Sequence, residues 1–286
     1  MTEGAGTMEE PWLPPSPVDL RTDLPHPARV YDYLLGGKDN FAADRAAAAE
    51  GLRANPDSRT PPRENRAFLA RAVRFLAAEA GIRQFLDIGT GIPTAPNVHQ
   101  VAQAVDPTSR VVYVDNDPIV LAHARALLTG TEQGRTEYLD ADLRDVDAIL
   151  SAPRLRAALD LDRPVGLLLI AILHFVGDDD DPYDIVRRLV AALPAGSYLA
   201  LSHLTGDYRP AAWEKVAAIY RAKGVTMRVR SRAEVERFFT GLEVVEPGLQ
   251  VVTHWRPDGD AAGEPPTDGS VSVYGAVARK LSTTRP

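Results

Sequence analysis

Five short apolar runs alternate with segments of helical spacing between residues 84 and 203. The runs are QFLDIG, VVYVDND, TEYLDAD, VGLLLIAILHFV and SYLALSH, which begin at positions 84, 111, 136, 165 and 197. Continuous apolar runs are typical of strands that are buried on both faces of a mainly parallel sheet. Because helical segments lie between them, the pattern predicts an open, doubly wound α/β sheet.

The ends of the predicted elements carry recognisable signals. Asp117 and Asp181 each precede a proline, which is the pattern of an N-cap followed by proline at the first helical position. Near the end of the chain, residues 242–255 and 270–280 have the pattern of two strands joined by turn residues. This segment predicts an antiparallel hairpin at one edge of the sheet.

Composition divides the chain into three regions. Residues 1–18 are rich in proline and poor in apolar side chains, which predicts a disordered leader. Residues 19–80 contain three segments of helical spacing and no strand pattern, so we expect an N-terminal helical cap. Residues 81–286 contain all the predicted strands and form the predicted α/β domain.

Composition also excludes several kinds of site. The 286 residues include no cysteine, so disulfides, thiolate nucleophiles and cysteine-based metal sites are excluded. The six histidines are scattered and indicate no metal site. A formal net charge of −7 argues against binding to the phosphate backbone of nucleic acids. No apolar run approaches the roughly 18 residues of a membrane span, and the acidic N-terminus lacks the pattern of a signal peptide. We therefore expect a cytoplasmic protein without a membrane or nucleic-acid partner.

Glycine and aspartate residues lie where the first two predicted strands end. Asp87, Gly89 and Gly91 belong to the first turn, and Asp115 ends the second strand. Ligands of open α/β sheets bind outside the carboxyl ends of the strands, and an acidic side chain at the second position can accept the hydroxyl groups of a ribose. The spacing predicts a cofactor that contains a nucleoside. The alternative is a glycine turn without a ligand, followed by an acidic cluster that caps the next helix.

Two classes of nucleoside cofactor compete for this site. A dinucleotide fingerprint has a third glycine where this chain has Thr94. The Asp87 carboxylate would repel a pyrophosphate, whereas it would attract the amino group of a zwitterionic amino acid. Both features favour S-adenosylmethionine over NAD. A carboxylate after the third run, in the stretch from Asp140 to Asp142, can accept a hydrogen bond from the adenine amine, or it can lie in a solvated turn.

These motifs resemble those of a known family. The set DIGTGIP, VVYVDNDP, DADLRD and LLLIAILHFV is similar to that of class I S-adenosylmethionine-dependent methyltransferases. More specifically, the segments PHPARVYDYLLGGKDNFAADR and EPGLQVVTHWRP resemble an actinobacterial family of S-adenosyl methyltransferases with a domain of unknown function. The resemblance extends from about residue 20 to about residue 280.

The resemblance implies a fold, a cofactor and a set of site residues. The expected fold is a Rossmann-like, mainly parallel sheet of seven strands with a terminal antiparallel hairpin and an N-terminal helical cap. The expected cofactor is S-adenosylmethionine, with S-adenosylhomocysteine as product. The residues carried over are Asp87, Gly89, Thr90 and Gly91 for the methionine end, Asp115 for the ribose, Asn116, Asp142 and Leu143 for the adenine, and Ala171 beside the sulfonium. The stretch from Ile92 to Thr94 departs from the small residue that many class I enzymes have there.

The segment YDYLLGGKDNF sets two glycines beside aromatic and charged side chains. The resemblance implies that residues before the first strand fold over the cofactor and form part of the acceptor pocket. This composition suits a lid that excludes water. We therefore expect Tyr33 and Gly37 at the cofactor, with Tyr33 also a candidate catalytic group. The alternative is a plain helix–turn–helix in which the glycines only end the first helix.

His174 and His203 are the candidate general bases. They lie at the ends of the fourth and fifth apolar runs, so we expect both on the rim of the active site. Methyl transfer needs a base only if the acceptor must lose a proton, and histidine titrates near neutral pH. Each histidine could instead be a hydrogen-bonded structural residue.

The sequence favours a methyltransferase that acts on a small molecule by O- or N-methylation. The fourth run is not followed by the Asn/Asp-Pro-Pro-Tyr pattern used to methylate amino groups of DNA bases. A non-catalytic sensor of S-adenosylmethionine or S-adenosylhomocysteine is the alternative. An NAD-dependent oxidoreductase is disfavoured by Asp87 and Thr94, and the spacing of Tyr220 and Lys223 does not fit a Tyr-x-x-x-Lys pair. The oligomeric state is not predicted.

Overall fold

The N-terminal part of the described chain is helical, as its composition predicts. The computed structural model describes residues 20–127, 130–259 and 264–282; the predicted leader, residues 1–18, lies outside them. Three helices precede the first strand, namely α1 (Pro27–Leu35), α2 (Ala42–Ala54) and α3 (Thr60–Ala78). None of the helices in the described ranges is both long enough and apolar enough to cross a membrane.

The strands in the rest of the described chain form one mixed sheet. Its strands are β1 (Gln84–Ile88), β2 (Arg110–Asp115), β3 (Arg135–Asp140), β4 (Gly166–Ile170), β5 (Tyr198–Leu204), β6 (Glu243–Val244), β7 (Gln250–Val251) and β8 (Val273–Arg279). They lie in the order β3-β2-β1-β4-β5-β8-β6, and β7 also pairs with β8. Strands β1 to β5 are parallel, and β8 runs antiparallel to β5. The mainly parallel sheet with an antiparallel edge is therefore confirmed.

Helices connect the parallel strands. They are α4 (Val98–Val105), α5 (Pro118–Leu127), α6 (Val146–Ser151), α7 (Pro153–Ala158), α8 (Pro182–Ala191), α9 (Pro210–Ala222), α10 (Arg232–Glu236) and α11 (Asp268–Val271). The predicted N-caps are present. Asp117 accepts a hydrogen bond from the backbone N–H of Ile119 at 2.9 Å, and Asp181 accepts one from that of Asp184 at 3.2 Å.

The antiparallel edge differs in detail from the predicted hairpin. The predicted strand over residues 242–255 is two short strands, β6 and β7, which pair with different parts of β8. Pro247 interrupts the strand because it has no backbone N–H, and Gly248 turns the chain with φ of 83°. Within the described residues the sheet thus has eight strands where seven were predicted, because the predicted edge strand is divided in two. The last strand also begins at Val273 rather than at residue 270.

The fourth predicted strand is shorter than its apolar run. The run covers residues 165–176, but β4 ends at Ile170 because Ala171 adopts left-handed backbone with φ of 55°. Residues Leu173–Phe175 then form a 3₁₀ turn, in which Leu173 is fully buried. The second half of the run is apolar because it forms a buried turn, not because it forms a strand.

Helix α3 shares the core of the sheet. The ring of Phe68 packs edge-to-face on Trp255, with ring centroids 5.3 Å apart. The Arg71 guanidinium donates hydrogen bonds to the backbone oxygens of Trp255 at 3.0 Å and Val252 at 2.5 Å. Gly275 of β8 makes this approach possible, since a Cβ there would lie 2.9 Å from Cζ of Phe68. The helix therefore fixes the N-terminal helices to the sheet.

Candidate active site

The backbone of the turn after β1 strongly favours glycine at two positions. Gly89 and Gly91 both adopt left-handed backbone, with φ of 77° and 68°. A Cβ at Gly89 would also lie 2.5 Å from Cγ1 of Ile172, in the turn that follows β4. The Gly89 N–H donates to the backbone oxygen of Val114 at 2.8 Å. These contacts hold the first turn between the ends of β2 and β4.

Asp115 ties the first two turns together. One carboxylate oxygen accepts a hydrogen bond from the N–H of Gly91 at 2.8 Å, and the other accepts one from the N–H of Asp117 at 3.0 Å. Burial raises the pKa of Asp115 above its usual range. An ionised carboxylate offers about four acceptor positions, so two remain for hydroxyl groups of a ligand.

Asp87 is a buried carboxyl group at the end of β1. Only 5% of the residue is exposed, and burial raises its pKa to about 7, with the Arg66 guanidinium acting in the opposite direction. A carboxylate in such a place is stabilised by a cation brought next to it. The residue can therefore bind an ammonium group and change its protonation as it does so.

The turns at the carboxyl ends of the strands surround a cavity of about 290 Å³. The predicted residues that line it are Asp87, Gly89, Thr90, Gly91, Asp115, Asn116, Asp142, Leu143 and Ala171. At its third turn, the Asn116 amide donates to Asp142 at 2.9 Å, beside the buried Leu143. This cavity is polar at the first two turns and partly apolar at the third.

Helix α1 closes the cavity with a face other than the predicted one. Ala28, Tyr31 and Asp32 line the cavity, because residues three and four positions apart share one face of a helix. Tyr33 is two positions after Tyr31, about 200° further around the helix, and its ring faces the Arg59 guanidinium at 5.1 Å.

Gly37 also lies away from the cavity. It follows the end of α1, where its N–H donates to the backbone oxygen of Asp32 at 2.8 Å and its own oxygen accepts from the Asn40 amide at 3.0 Å. The structure thus brings Tyr31, rather than Tyr33 or Gly37, to the cavity.

Arg66 is a cavity residue that the sequence did not reveal. It extends from α3 to the first turn, where its guanidinium donates to the backbone oxygens of Thr94 and, at 2.6 Å, of Pro96. Its Nε is buried and has no hydrogen-bonding partner among the described residues. The positive charge therefore lies beside Asp87 in the same cavity. No local pattern marks Arg66, since the turn that it contacts is about 30 residues later.

The two candidate histidines differ from expectation in their positions. His203 lies inside β5 rather than on the rim, and it is fully buried. Its Nδ1–H donates to the backbone oxygen of Leu204 at 2.7 Å, and its Nε2 accepts from Arg230 at 3.0 Å. Burial lowers its pKa far below the usual range, with His174 and Arg230 acting in the same direction. His203 lines neither cavity.

His174 lies in the 3₁₀ turn after β4, with its ring centroid 5.5 Å from that of His203. Burial and the Arg230 charge lower its pKa to about 3. It is therefore neutral at physiological pH. It lines a second cavity of about 70 Å³.

The second cavity adjoins the first. Five residues belong to both linings, namely Pro27, Tyr31, Asn65, Ala171 and Phe175. The Asn65 amide donates to the Tyr31 hydroxyl at 3.0 Å, and its oxygen accepts from the Ser202 hydroxyl at 2.5 Å. The hydrogen-bonded side chains of Tyr31 and Asn65 thus lie at the boundary that the two cavities share.

Comparison with known proteins identifies relatives over the whole described fold. The family model for S-adenosyl methyltransferases matches residues 15–281. The crystal structure of a DUF574 family protein from Streptomyces avermitilis is 52% identical, covers 92% of this chain and 100% of that chain, and has a TM-score of 0.88. The crystal structure of a proposed methyltransferase from Thermobifida fusca is 42% identical, covers 95% of this chain and 99% of that chain, and has a TM-score of 0.84. A search of curated proteins returned no match.

These matches agree with the geometry of the first cavity, where buried carboxylates and bare backbone surround a space at the carboxyl ends of the strands. Both solved relatives come from actinobacteria, as the resemblance of the N-terminal segment predicts. The chain belongs to the S-adenosyl methyltransferase family, and it is an enzyme whose cofactor is S-adenosylmethionine.

Proposed function

We propose that the first cavity binds S-adenosylmethionine and that the enzyme methylates an oxygen or nitrogen atom of a small molecule bound in the adjoining cavity. One observation carries this proposal. Two buried carboxyl groups, Asp87 and Asp115, lie at the ends of neighbouring strands in one cavity, where one suits an ammonium group and the other a ribose.

Asp87 and Arg66 would hold the amino-acid end of the cofactor. The ammonium group would lie beside Asp87, whose raised pKa would fall as the cation stabilises the carboxylate. The cofactor carboxylate would accept a hydrogen bond from the buried, unpaired Nε of Arg66. Such charge-assisted hydrogen bonds are about twice as strong as neutral ones. Gly89, Thr90 and Gly91 would let the ligand approach the backbone of the first turn.

Asp115 would hold the ribose through the acceptor positions that Gly91 and Asp117 leave free. The adenine would lie at the third turn. Its amine would donate to Asp142, its ring would pack on the apolar side chain of Leu143, and Asn116 would lie beside it.

The bound cofactor supplies an activated methyl group on a sulfonium. The task of this chain is consequently to bind and orient two ligands and to exclude water. Ala171 lines both cavities and immediately precedes Ile172, which lies against the first turn, so Ala171 would flank the reacting groups. The N-terminal helices, residues 19–80, would act as a cap on the catalytic domain of residues 81–286, since α1 closes the first cavity.

The histidines would act without taking a proton. His174 has a pKa of about 3 and would accept or donate a hydrogen bond as a neutral ring. His203 would be a positioning residue. It hydrogen-bonds Arg230, which donates to the backbone oxygens of Leu173 at 2.9 Å and Val176 at 3.1 Å and thereby supports the turn that carries His174. An acceptor that needs no strong base fits this arrangement.

Calorimetric titration of the protein with S-adenosylmethionine, S-adenosylhomocysteine and NAD tests the cofactor site. Micromolar binding of the two sulfur ligands without binding of NAD is the expected result.

The His203→Gln variant separates positioning from proton transfer. If His203 only positions the turn, the rate of methyl transfer in the variant falls by the same factor at every pH. If His203 acts as a base, its loss changes the shape of the pH profile.

A further inference from the structure

The second cavity has the chemistry of a site for an uncharged ligand. None of the side chains that line it in the described ranges belongs to Asp, Glu, Lys or Arg. Its walls are mostly apolar and include Val30, Leu34, Trp213, Val216 and Met227. A charged ligand group would lose its hydration there without a partner ion, which is strongly unfavourable.

Two lining residues carry polar atoms without a partner. Nε1 of Trp213 and Nδ1 of His174 are buried, and no described residue hydrogen-bonds to either atom. The indole N–H can only donate, whereas a neutral imidazole nitrogen donates or accepts according to its tautomer. A hydroxyl group can both donate and accept, so it is complementary to both atoms. Unpaired buried polar atoms are costly, and a ligand hydroxyl would relieve that cost.

The size of the cavity limits the ligand. One water occupies about 10–15 Å³ on the same measure, so about 70 Å³ corresponds to roughly five to seven such positions. That volume accommodates a ligand group of about one six-membered ring. The shared wall of Tyr31 and Asn65 places this space directly beside the proposed cofactor cavity.

We propose that the second cavity binds the methyl acceptor and that the acceptor presents to it a neutral, apolar group of about one ring that carries a hydroxyl. The proposal rests on the proposed function, because it calls the ligand an acceptor. The class of ligand rests on the lining of the second cavity alone.

Phenol, toluene and benzoate are suitable probes because they share one ring and differ in hydroxyl and charge. Each is titrated calorimetrically into the full chain at pH 7, with and without saturating S-adenosylhomocysteine. Phenol should bind at least about fivefold more tightly than toluene, because the hydroxyl pairs with buried polar atoms. Benzoate should bind at least about tenfold more weakly than phenol.

Matched variants locate the probe. Ala48 lines the second cavity and is buried, whereas Ala46 is exposed on the same helix. Ala48→Leu should weaken phenol binding at least about fivefold by filling the space, and Ala46→Leu should change it less than about twofold. Gly51→Ala is a milder filling variant, because its Cβ would contact Tyr220 at an ordinary 3.6 Å. It should weaken phenol binding while the protein stays folded.

The outcomes separate this proposal from the proposed function. Benzoate binding as tight as phenol, or phenol binding unchanged in both Ala48→Leu and Gly51→Ala, overturns the assignment of the second cavity. Normal binding of S-adenosylhomocysteine without any binding of phenol overturns it as well. Failure of S-adenosylhomocysteine to bind, with phenol behaving as expected, counts against the cofactor site and leaves the ligand class of the second cavity supported.

Discussion

The two cavities differ in how the chain builds them. The polar wall of the first comes from turns that directly follow β1, β2 and β3, each within a few consecutive residues. The wall of the second comes from residues as distant as Val30 and Val273. The first cavity contains buried carboxyl groups, and the second contains no charged side chain in the described ranges. The comparison teaches that the proposed cofactor site depends on turn backbone and charge, whereas the adjoining site depends on helix packing.

The largest expected effect concerns the backbone of the first turn. Gly89→Ala should destabilise the protein in two ways. An alanine in left-handed backbone costs about 1–2 kcal/mol, and overpacking of its Cβ against Ile172 costs about 1–3 kcal/mol. Gly81→Ala is the matched control, because Gly81 has φ of 70° and no described atom within 4 Å of its Cβ position. Urea unfolding should show a loss of about 2–5 kcal/mol for the first variant and about 1–2 kcal/mol for the second. Equal losses would contradict the close approach of the two turns.

Asp115→Ala should weaken S-adenosylmethionine binding by roughly 1–3 kcal/mol, because charge-assisted hydrogen bonds to the ribose are lost. Asp140 is the matched control. It pairs in register with Asp115 on the neighbouring strand, but it is exposed and does not line the cavity. Calorimetry should show less than about a twofold change for Asp140→Ala. Unchanged affinity in a folded Asp115→Ala variant would remove the ribose assignment.

Asp87 should release protons when the cofactor binds. Its pKa is about 7 in the free protein, and an adjacent ammonium lowers it, so the affinity for S-adenosylmethionine should rise with pH between about 6 and 8. Titration at pH 7 in two buffers of different ionisation enthalpy measures the release. Asp87→Asn should abolish it and weaken binding, and proton release that persists in this variant would point to another group.

The same shift predicts an effect on stability. The folded-state pKa of Asp87 lies above the unfolded value of about 3.9, so its contribution to stability is present at low pH and is lost as pH rises from about 4 to 7. Without ligand, Asp87→Asn should consequently be more stable than the wild type above pH 7. Unfolding experiments at pH 5 and pH 8 compare the two proteins, and a variant that is less stable at pH 8 contradicts the buried, desolvated carboxyl.

The smallest effect concerns the two faces of α1. Tyr31→Phe leaves the Asn65 amide and the Pro62 oxygen without a partner. The protein should consequently lose about 1 kcal/mol of its free energy of unfolding, or of its binding free energy for S-adenosylhomocysteine. Tyr33→Phe should change the dissociation constant of S-adenosylhomocysteine less than about twofold, because the ring lies outside the cavity. A larger effect at Tyr33 would mean that this face closes over the ligand.

The turns that line the first cavity were predictable because each lies within a short stretch of sequence. Asp87 and Gly89 are close together in the chain, and the apolar runs that precede the turns predict the parallel strands at whose carboxyl ends ligands bind. The break of the edge strand at Pro247 and the end of β4 before Ala171 were missed, because apolar periodicity does not report where a buried segment leaves the sheet.

The second cavity could not be predicted in the same way. Its lining joins α1, α2, α3, α9 and β8, and only the tertiary packing brings these elements together. Arg66 and Tyr31 were not singled out because their partners are distant in sequence, such as Pro96 for Arg66 and Asn65 for Tyr31. Tyr33 was chosen over Tyr31, which lines the cavity, because composition does not give the rotation of α1 about its axis.

A crystal structure of the complex with S-adenosylhomocysteine tests the central claim most directly. The account predicts the amino group within hydrogen-bond distance of Asp87, the ribose hydroxyls on Asp115, the adenine between Asn116 and Leu143, and a free space on the far side of Tyr31 and Asn65. Ligand bound in the second cavity, or bound without contact to Asp87 and Asp115, would contradict the division of the site into a charged cofactor cavity and a neutral acceptor cavity.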